Sequence, residues 1–183
     1  LPRATLAQRL QQIGPAATQR LRERFAQAGV SYPPAKVTLV AIKAKRELAL
    51  YASPEHPLQS SSAAAGASAD TPTARLVHRY WVLAASGGAG PKLREGDRQV
   101  PEGVYRIESL NPNSLYHVSL RLDYPNVFDR AMAAREGRTG LGGDIMIHGR
   151  NASIGCLAMG DPASEELFVL VTLFMPRGIL GVW

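Results

Sequence analysis

The chain is poor in cysteine and lacks long apolar runs, and each absence excludes certain classes of protein. Cys156 is the one cysteine in 183 residues, which excludes an intrachain disulfide framework and a cysteine-rich zinc site. No apolar stretch reaches about 18 residues, so we expect no membrane span. There is no glycine fingerprint for phosphate and no cluster of metal ligands, so we expect no cofactor. Internal repeats are also absent, and the length suits one domain with its own core.

Acidic residues are outnumbered by basic ones. The 15 Asp and Glu residues against 21 Lys and Arg give a net charge of +6 and an isoelectric point near 9.8. Such a balance favours anionic partners, including nucleic acid, lipid head groups or an acidic polymer. The basic residues are scattered, however, and no basic block is interleaved with aromatic residues. We assign the one small cluster, Arg20, Arg22 and Arg24, to a solvated helix face and expect no nucleic-acid partner.

The first 34 residues predict a helical segment. Apolar residues recur at helical spacing in two stripes: Leu6, Leu10 and Ile13, then Leu21 and Phe25. Gly14-Pro15 predicts a break between two helices, with Pro15 at the start of the second, and Gly29 predicts the end. We therefore divide the chain into an N-terminal helical segment over 1–34, packed on a main domain over 35–183.

The remainder is typical of a β-rich fold. Strands are predicted over 37–42, 47–51, 77–84, 104–107, 116–122 and 144–148. Turns and loops are predicted at 43–46, 86–103 and 111–114. Residues 53–74, rich in Ser, Ala and Pro, predict a flexible insertion. After Asp161-Pro162, the apolar spacing over 167–174 favours a final helix, although β-branched residues leave a strand open. The predicted fold class is mainly β with flanking helices.

A histidine closely precedes the cysteine, in a segment rich in small residues. His148 lies eight positions before Cys156, and Gly149 and Gly155 flank the loop between them. A thiol is a strong nucleophile only as the thiolate, which a nearby imidazole can generate near neutral pH. The alternative is a small, inert core residue. Because the glycines suit a tight loop better than a packed core, we interpret the segment as the active site of a cysteine acyl-transfer enzyme.

The same segment closes a longer, ordered set of motifs. They are Glu47-Leu48-x-Leu50, Gly90-Pro91-Lys92-Leu93, Gly96-Asp97, Pro101-Glu102-Gly103-x-Tyr105, Asn111-Pro112-x-Ser114, Tyr124-Pro125-Asn126-x-x-Asp129-Arg130, Ile147-His148-Gly149 and Ser153-x-Gly155-Cys156. Over roughly residues 36–174 this set resembles the L,D-transpeptidase catalytic domain of the YkuD type, and above all its YafK-like or DpaA-like subgroup. The resemblance implies a β-sandwich catalytic domain over 35–183 and an enzyme of bacterial peptidoglycan, in the periplasm.

Departures from the common family pattern bear on the reaction. Only four residues separate His148 from Ser153, Ile154 replaces the second histidine of the motif, and the usual Arg or Asn after the cysteine is absent. The short spacing and the isoleucine are typical of the YafK-like subgroup. Its members resemble hydrolases that cut the bond joining an outer-membrane lipoprotein to the meso-diaminopimelate of peptidoglycan. We therefore favour hydrolysis, with 3-3 cross-linking or lipoprotein attachment as alternatives.

The resemblance also implies roles for the central residues. Cys156 attacks the carbonyl at the L-centre of diaminopimelate and forms a thioester. His148 acts as base and then as acid. The Gly149 carbonyl orients the imidazole, as the third member of a triad. Backbone amides near Gly155 and Cys156 are expected to stabilise the oxyanion. For Ser153, contact with the substrate and support of the loop have equal weight.

The remaining candidates are weaker. His117, in a strand-like segment, is a rival base or a substrate contact, but we favour a half-buried strand histidine. Arg130 either binds a substrate carboxylate or pairs with Asp129 as structural support, and we favour support. The loop from Lys92 to Asp97 borders the cleft or lies at the surface, and we favour the surface.

Three classes of function follow from these observations. The first is a cysteine enzyme whose partners are peptidoglycan stem peptides and an outer-membrane lipoprotein. The second is a non-catalytic peptidoglycan-binding module with an inert thiol, and the third is a basic interaction protein for nucleic acid or anionic lipid. The chain begins at Leu1 and shows no signal peptide, so we expect an export signal or anchor to be missing from it.

Overall fold

The computed structural model describes residues 3–53 and 74–174, so the predicted insertion falls, apart from its first and last residues, outside the described part. The elements in chain order are α1 (Leu6–Ala28), β1 (Lys36–Ile42), a short 3₁₀ turn (Lys43–Lys45), β2 (Glu47–Ser53), β3 (Arg75–Trp81), β4 (Ile107–Ser114), β5 (His117–Leu122), α2 (Val127–Arg135), β6 (Met146–His148), β7 (Leu157–Ala158) and α3 (Asp161–Thr172). The predicted class, mainly β with helices at the flanks, is confirmed.

The strands form two sheets around one core. The first has the order β1-β2-β3 and is antiparallel throughout, which includes the predicted hairpin of β1 and β2. The second has the order β4-β5-β6-β7, and only its β6–β7 pair is parallel. The core is apolar and takes residues from both sheets and from α1 and α3: Leu48, Leu50, Val118, Leu120, Ile147, Leu21, Phe25, Leu167 and Phe168.

Helix α1 is continuous, and the predicted break at Gly14-Pro15 is wrong. Thr5 caps its start in a capping box with Gln8, and Gly29 ends it with a φ of 65°, as its sequence predicted. A proline inside a helix costs about 3 kcal/mol because it removes a hydrogen bond and crowds the preceding turn. Residues on both sides of Pro15 nevertheless bury one common face, and this packing offsets the cost.

The arginines of α1 correct a second expectation. Glu166 of α3 is fully buried, and its carboxylate accepts hydrogen bonds from Nε of Arg20 at 2.8 Å and Nε of Arg24 at 2.7 Å. The Tyr80 hydroxyl donates to the same carboxylate at 2.8 Å. Because a buried carboxylate needs such partners, these two arginines join α1 to α3 and do not form a solvated face. Burial, together with the negative charge of Glu166, raises the pKa of Tyr80 far above its usual value.

Strand β4 also departs from the prediction. It begins at Ile107 and runs through residues 111–114, which had been assigned to a turn, with an irregular register against β5. Pro112 is tolerated because β4 is an edge strand. Its carbonyl accepts a hydrogen bond from Nε of Arg9, at 2.8 Å. The edge of the second sheet is thereby tied to α1.

The two later helices differ in how well the sequence predicted them. Helix α3 is confirmed and the strand alternative is wrong, although Gly160 rather than Asp161 is the N-cap. Helix α2 was not predicted, because it has only one buried residue, Ala133, and therefore no apolar stripe. Asn126 and Asp129 form a capping box at its start, which was the available signal. No helix in 3–53 or 74–174 combines the length and the apolar character that crossing a membrane requires.

Candidate active site

Neighbouring strands of the second sheet bring His148 and Cys156 to the same region. His148 ends β6 and pairs with Ala158 of the parallel strand β7, and Cys156 immediately precedes β7. Because side chains alternate along a strand, the second residue before Ala158 is expected on the face that carries His148. In agreement, the backbone N–H of Met146, two residues before His148, lies close enough to the Cys156 sulfur to influence the thiol.

His148 is held in one tautomer. Its Nδ1 lies 2.7 Å from the Gly149 carbonyl, which can only accept, so Nδ1 carries the proton and Nε2 has the free lone pair. The ring is 3% exposed and packs against Tyr116 with centroids 4.5 Å apart. Burial lowers the pKa of His148, and the bond to Gly149 opposes this only in part. The imidazole is therefore neutral near pH 7 and able to accept a proton.

Gly149 cannot be replaced without moving its neighbours. A Cβ atom at this position would lie 2.5 Å from Oδ1 of Asp161 and 2.8 Å from the carbonyl of Tyr116. Oδ1 of Asp161 also accepts the N–H of Arg150 at 2.8 Å. The start of α3 thus closes around the turn that orients the histidine.

The Cys156 thiol is partly buried and protonated. Its Sγ donates to the Asp144 carbonyl at 3.6 Å. Burial raises the pKa of the thiol, and the Asp144 carboxylate raises it further, whereas the Met146 N–H and the Lys92 ammonium lower it. In the described part of the chain no hydrogen bond joins the sulfur to the His148 ring. The two groups are thus a neutral thiol and a neutral imidazole, and a proton has to move between them during a reaction.

Two hydroxyl groups fix the loop before Cys156. Ser153 Oγ accepts the Cys156 N–H at 2.9 Å and donates to the Cys156 carbonyl at 2.7 Å. Ser86 Oγ accepts the Gly155 N–H at 2.6 Å and donates to the Arg98 carbonyl. Ser153 therefore supports the loop. The Gly155 and Cys156 N–H groups, which were expected to stabilise the oxyanion, already donate to these hydroxyls. Their role as oxyanion donors stays a prediction, and it requires these hydrogen bonds to break.

The His117 ring is paired with a carboxylate of α3. Its Nε2 lies 2.9 Å from Oε1 of Glu165, whose other oxygen pairs with Arg20 at 2.9 Å. This places the His117 ring in the contact between β5 and the helices. Its Cβ nevertheless lies only 2.9 Å from the position that a Cβ on Gly149 would take. His117 thus packs against the turn that follows His148, and its Nε2 is engaged by Glu165.

Arg130 does not form the expected pair. Its Nη1 donates to the Pro125 carbonyl at 2.6 Å, within the turn before α2. Asp129 instead accepts the Asn126 N–H at 2.9 Å and the Tyr105 hydroxyl at 3.0 Å. The prediction of an Arg130–Asp129 pair is wrong, because the helix cap takes one oxygen of the aspartate and the Tyr105 hydroxyl takes the other. Each residue supports the local fold separately.

The loop containing Lys92 is not a simple surface loop. Lys92 is 8% exposed, and its Nζ pairs with Oδ1 of Asp97 at 2.6 Å. Hydrogen bonds from Lys92 and from three backbone N–H groups outweigh burial and hold the pKa of Asp97 well below its usual range. The loop borders an open cleft of about 580 Å³ lined by Pro91, Leu93, Arg94, Asp97, Gln99, Arg138 and Thr139. The Gln99 carbonyl packs against Gly155, so the cleft adjoins the cysteine loop.

Several contributors to this site have no local signal in the sequence. Ser86 lies 69 positions from the amide it holds, and no local pattern predicts such a contact. Tyr116 and Asp144 are single residues without a motif, whereas Asp161 had been noted only as a helix cap. Among residues 3–53 and 74–174, no group of three or more His, Cys, Asp or Glu side chains is arranged to hold a metal ion.

Known proteins provide an independent comparison. A family model described as the L,D-transpeptidase catalytic domain (YkuD) matches residues 37–177. Two curated proteins of Escherichia coli, strains K12 and O157:H7, both named "Putative L,D-transpeptidase YafK", are 40% identical over 100 residues, or 54% of this chain. The match spans only 38% of the length of these relatives. A chain in "Structure of Bdellovibrio bacteriovorus Bd1075" aligns with a TM-score of 0.45 and 20% identity, over 75% of this chain and 44% of that chain.

Proposed function

Because this chain belongs to the L,D-transpeptidase catalytic domain family, we propose that it is a cysteine enzyme acting on the stem peptides of peptidoglycan. The family resemblance predicted from the sequence is confirmed by the match over residues 37–177. The observation that supports the proposal is that two paired strands hold a histidine whose Nδ1 faces the Gly149 carbonyl and, just before the second strand, the partly buried thiol of Cys156. In this proposal Cys156 is the nucleophile and His148 the base.

The first half-reaction forms a thioester. His148 Nε2 takes the thiol proton as the sulfur attacks the carbonyl at the L-centre of diaminopimelate. The C–N bond then breaks, and the leaving amine takes that proton from Nε2. The sulfur must first give up its contact with the Asp144 carbonyl and turn toward the ring. Because both partners start neutral, the attack itself creates the charge that the site has to stabilise.

Water is the proposed acceptor in the second half-reaction. It attacks the thioester, releases a free carboxyl group and returns the proton to the sulfur, so the net reaction is amide hydrolysis. The short segment between His148 and Ser153 supports this choice, as does Ile154, which is 75% exposed where the common motif has a second histidine. The proposed substrate is peptidoglycan linked to an outer-membrane lipoprotein, and the proposed location is the periplasm. Cross-linking and lipoprotein attachment share the first half-reaction and remain the alternatives.

Mass spectrometry of muropeptides tests this proposal. Sacculi with covalently attached lipoprotein, and free disaccharide tetrapeptides, are incubated with the wild-type protein and with Cys156→Ala. Release of lipoprotein, or of the terminal amino acid, by the wild type alone is expected for a hydrolase. Dimers with 3-3 links from the wild type would make the protein a transpeptidase. Binding to sacculi that survives Cys156→Ala, with no product from either protein, would favour the non-catalytic binding module.

A further inference from the structure

An arginine and an aspartate form an accessible ion pair on the face of the sheet that carries His148. Arg121 of β5 is the register partner of Met146, and the next pair on the same face of these strands is Ser119 with His148. Side chains of directly opposed residues lie on the same face. The Arg121 guanidinium pairs through Nη1 with Oδ1 of Asp144 at 3.1 Å, and the two side chains are 43% and 75% exposed.

Asp144 links this pair to the nucleophile. Its backbone carbonyl accepts the Cys156 thiol, while its carboxylate holds Arg121. The residue has a φ of 56°, in the left-handed region that side chains other than glycine seldom adopt. Such backbone conformations concentrate at functional sites. The position of the Arg121–Asp144 pair is therefore set by the same residue that holds the thiol.

The pair is open to exchange with a ligand. Exposed ion pairs contribute little to stability, so their members can change partners at small cost. The Arg121 guanidinium has five N–H donors. Its Nε is buried and lies 3.3 Å from the Glu108 carboxylate without forming a hydrogen bond, so this atom is closed to a ligand. The Nη groups, of which Nη1 pairs with Asp144, are therefore the donors that a ligand would take.

We propose that Arg121 and Asp144 bind a free amino acid head group on the side chain of the acyl donor, with the guanidinium on its carboxylate and the Asp144 carboxylate on its ammonium. This inference rests on the proposed function. The D-centre of meso-diaminopimelate carries both groups on one carbon, a few bonds from the L-centre carbonyl that Cys156 attacks. The two charges of the Arg121–Asp144 pair are complementary to those of this zwitterion. On binding, each residue exchanges its contact with the other for a contact with the oppositely charged group of the ligand.

Three tetrapeptide substrates separate the two contacts. One contains meso-diaminopimelate, one contains diaminopimelate amidated at its D-centre, and one contains lysine, which keeps the ammonium and lacks the carboxylate. We expect wild-type kcat/KM to fall about tenfold or more for the last two, since each loses a hydrogen bond between charged groups. Arg121→Gln should remove this preference, mainly through KM. Asp144→Asn, which tolerates the left-handed backbone, should weaken binding of all three substrates, because each keeps its ammonium.

The Arg79–Glu47 pair of the first sheet provides a matched control. It is also an ion pair on strands, with an accessible arginine, and it lies in the sheet that does not carry His148. Arg79→Gln should leave the preference of the enzyme unchanged. An Arg121→Gln protein that loses the same factor on all three substrates would overturn the proposal, because it would show a structural role. A wild-type protein without preference would overturn it as well.

Binding of the same peptides to the Cys156→Ala protein, by isothermal titration calorimetry, is independent of turnover. The proposal predicts tighter binding of the unmodified diaminopimelate peptide, and loss of the difference in the Cys156→Ala/Arg121→Gln protein. Equal binding of the three peptides would overturn the proposal even if turnover depended on Cys156. Selective binding without any Cys156-dependent product would contradict the proposed function and leave the binding site standing.

Discussion

The two faces of strands β5 and β6 differ in chemistry, although alternate residues of the same two strands form them. On one face Val118, Leu120 and Ile147 are at most 3% exposed and lie in the core. On the other face Ser119, Arg121 and His148 are polar, and Cys156 follows nearby. Because the side-chain period of a strand is two, each residue that secures the core sets the position of its neighbour in the site. A register slip of one residue would exchange the faces.

The two faces also differ in whether their buried side chains need hydrogen-bond partners and have them. The core face contains only apolar side chains in contact with one another. On the site face, Ser119 Oγ is buried without a hydrogen-bond partner in the described part of the chain. A buried hydroxyl without a partner costs stability. Stability is therefore concentrated on the core face, whereas the site face keeps a buried polar group whose arrangement is unfavourable for folding alone.

The largest expected effect of a substitution is a loss of turnover on the site face. We expect His148→Gln to lower kcat by about 10²–10⁴-fold, the range for loss of a general base, with the circular dichroism spectrum unchanged. His78→Gln is the control, because His78 lies beside Arg24 and away from the thiol. A loss below about fivefold for His148→Gln would contradict its role as base.

The next effect concerns adjacent residues on opposite faces. Leu120→Ala should lower the free energy of unfolding by about 2–5 kcal/mol, since it leaves a cavity in the core. Ser119→Ala should leave that free energy unchanged or raise it, because the hydroxyl it removes has no partner. Urea denaturation of both proteins makes the measurement. Similar losses in the two variants would refute the assignment of the faces.

A smaller effect is expected from the loop that holds the cysteine. Ser153→Ala removes both hydrogen bonds to the Cys156 backbone and should cost about 1–3 kcal/mol in stability. We expect kcat to fall while KM changes little, because the reacting sulfur loses its fixed position. Ser153→Thr, which retains a hydroxyl, is the control. A rise in kcat for Ser153→Ala would instead indicate that freeing the Cys156 N–H matters more.

The smallest effect is a shift along the pH axis. Burial lowers the pKa of His148, so kcat/KM should fall with decreasing pH only below its ordinary value of about 6.5. Burial raises the pKa of Cys156, so alkylation by iodoacetamide should rise with pH through a midpoint above the ordinary value of about 8.5. A fast alkylation plateau already present at pH 6 would reveal a preformed thiolate and contradict the neutral pair.

The sequence predicted the features that have a local signal. Periodicity and turn residues identified the β-rich class, the first hairpin and the end of α1 at Gly29, and the motif set identified the family. Helix α2 was missed because it buries almost nothing, and the proline in α1 misled because tertiary packing outweighs a local cost. The arginine partners of Glu166 could not be predicted, since they lie more than 140 positions away.

Within the candidate site, too, contacts between neighbouring residues were predicted and contacts between distant residues were not. The pairing of His148 with the Gly149 carbonyl was predicted from the resemblance and is present, since the two residues are adjacent. The burial of Lys92 was not foreseen, because it depends on how the loop folds around Asp97. The Arg121–Asp144 pair likewise depends on strand register, which periodicity does not fix for residues so far apart.

In the proposed reaction an acyl group from the stem peptide becomes attached to Cys156. Its most direct test is intact-protein mass spectrometry of acid-quenched mixtures of the protein with a diaminopimelate tetrapeptide. We expect a hydroxylamine-sensitive adduct whose mass equals the peptide minus its leaving amine, located on Cys156 and absent from Cys156→Ala. Turnover by a protein that never carries this adduct, or by the Cys156→Ala variant, would contradict the proposed thioester mechanism.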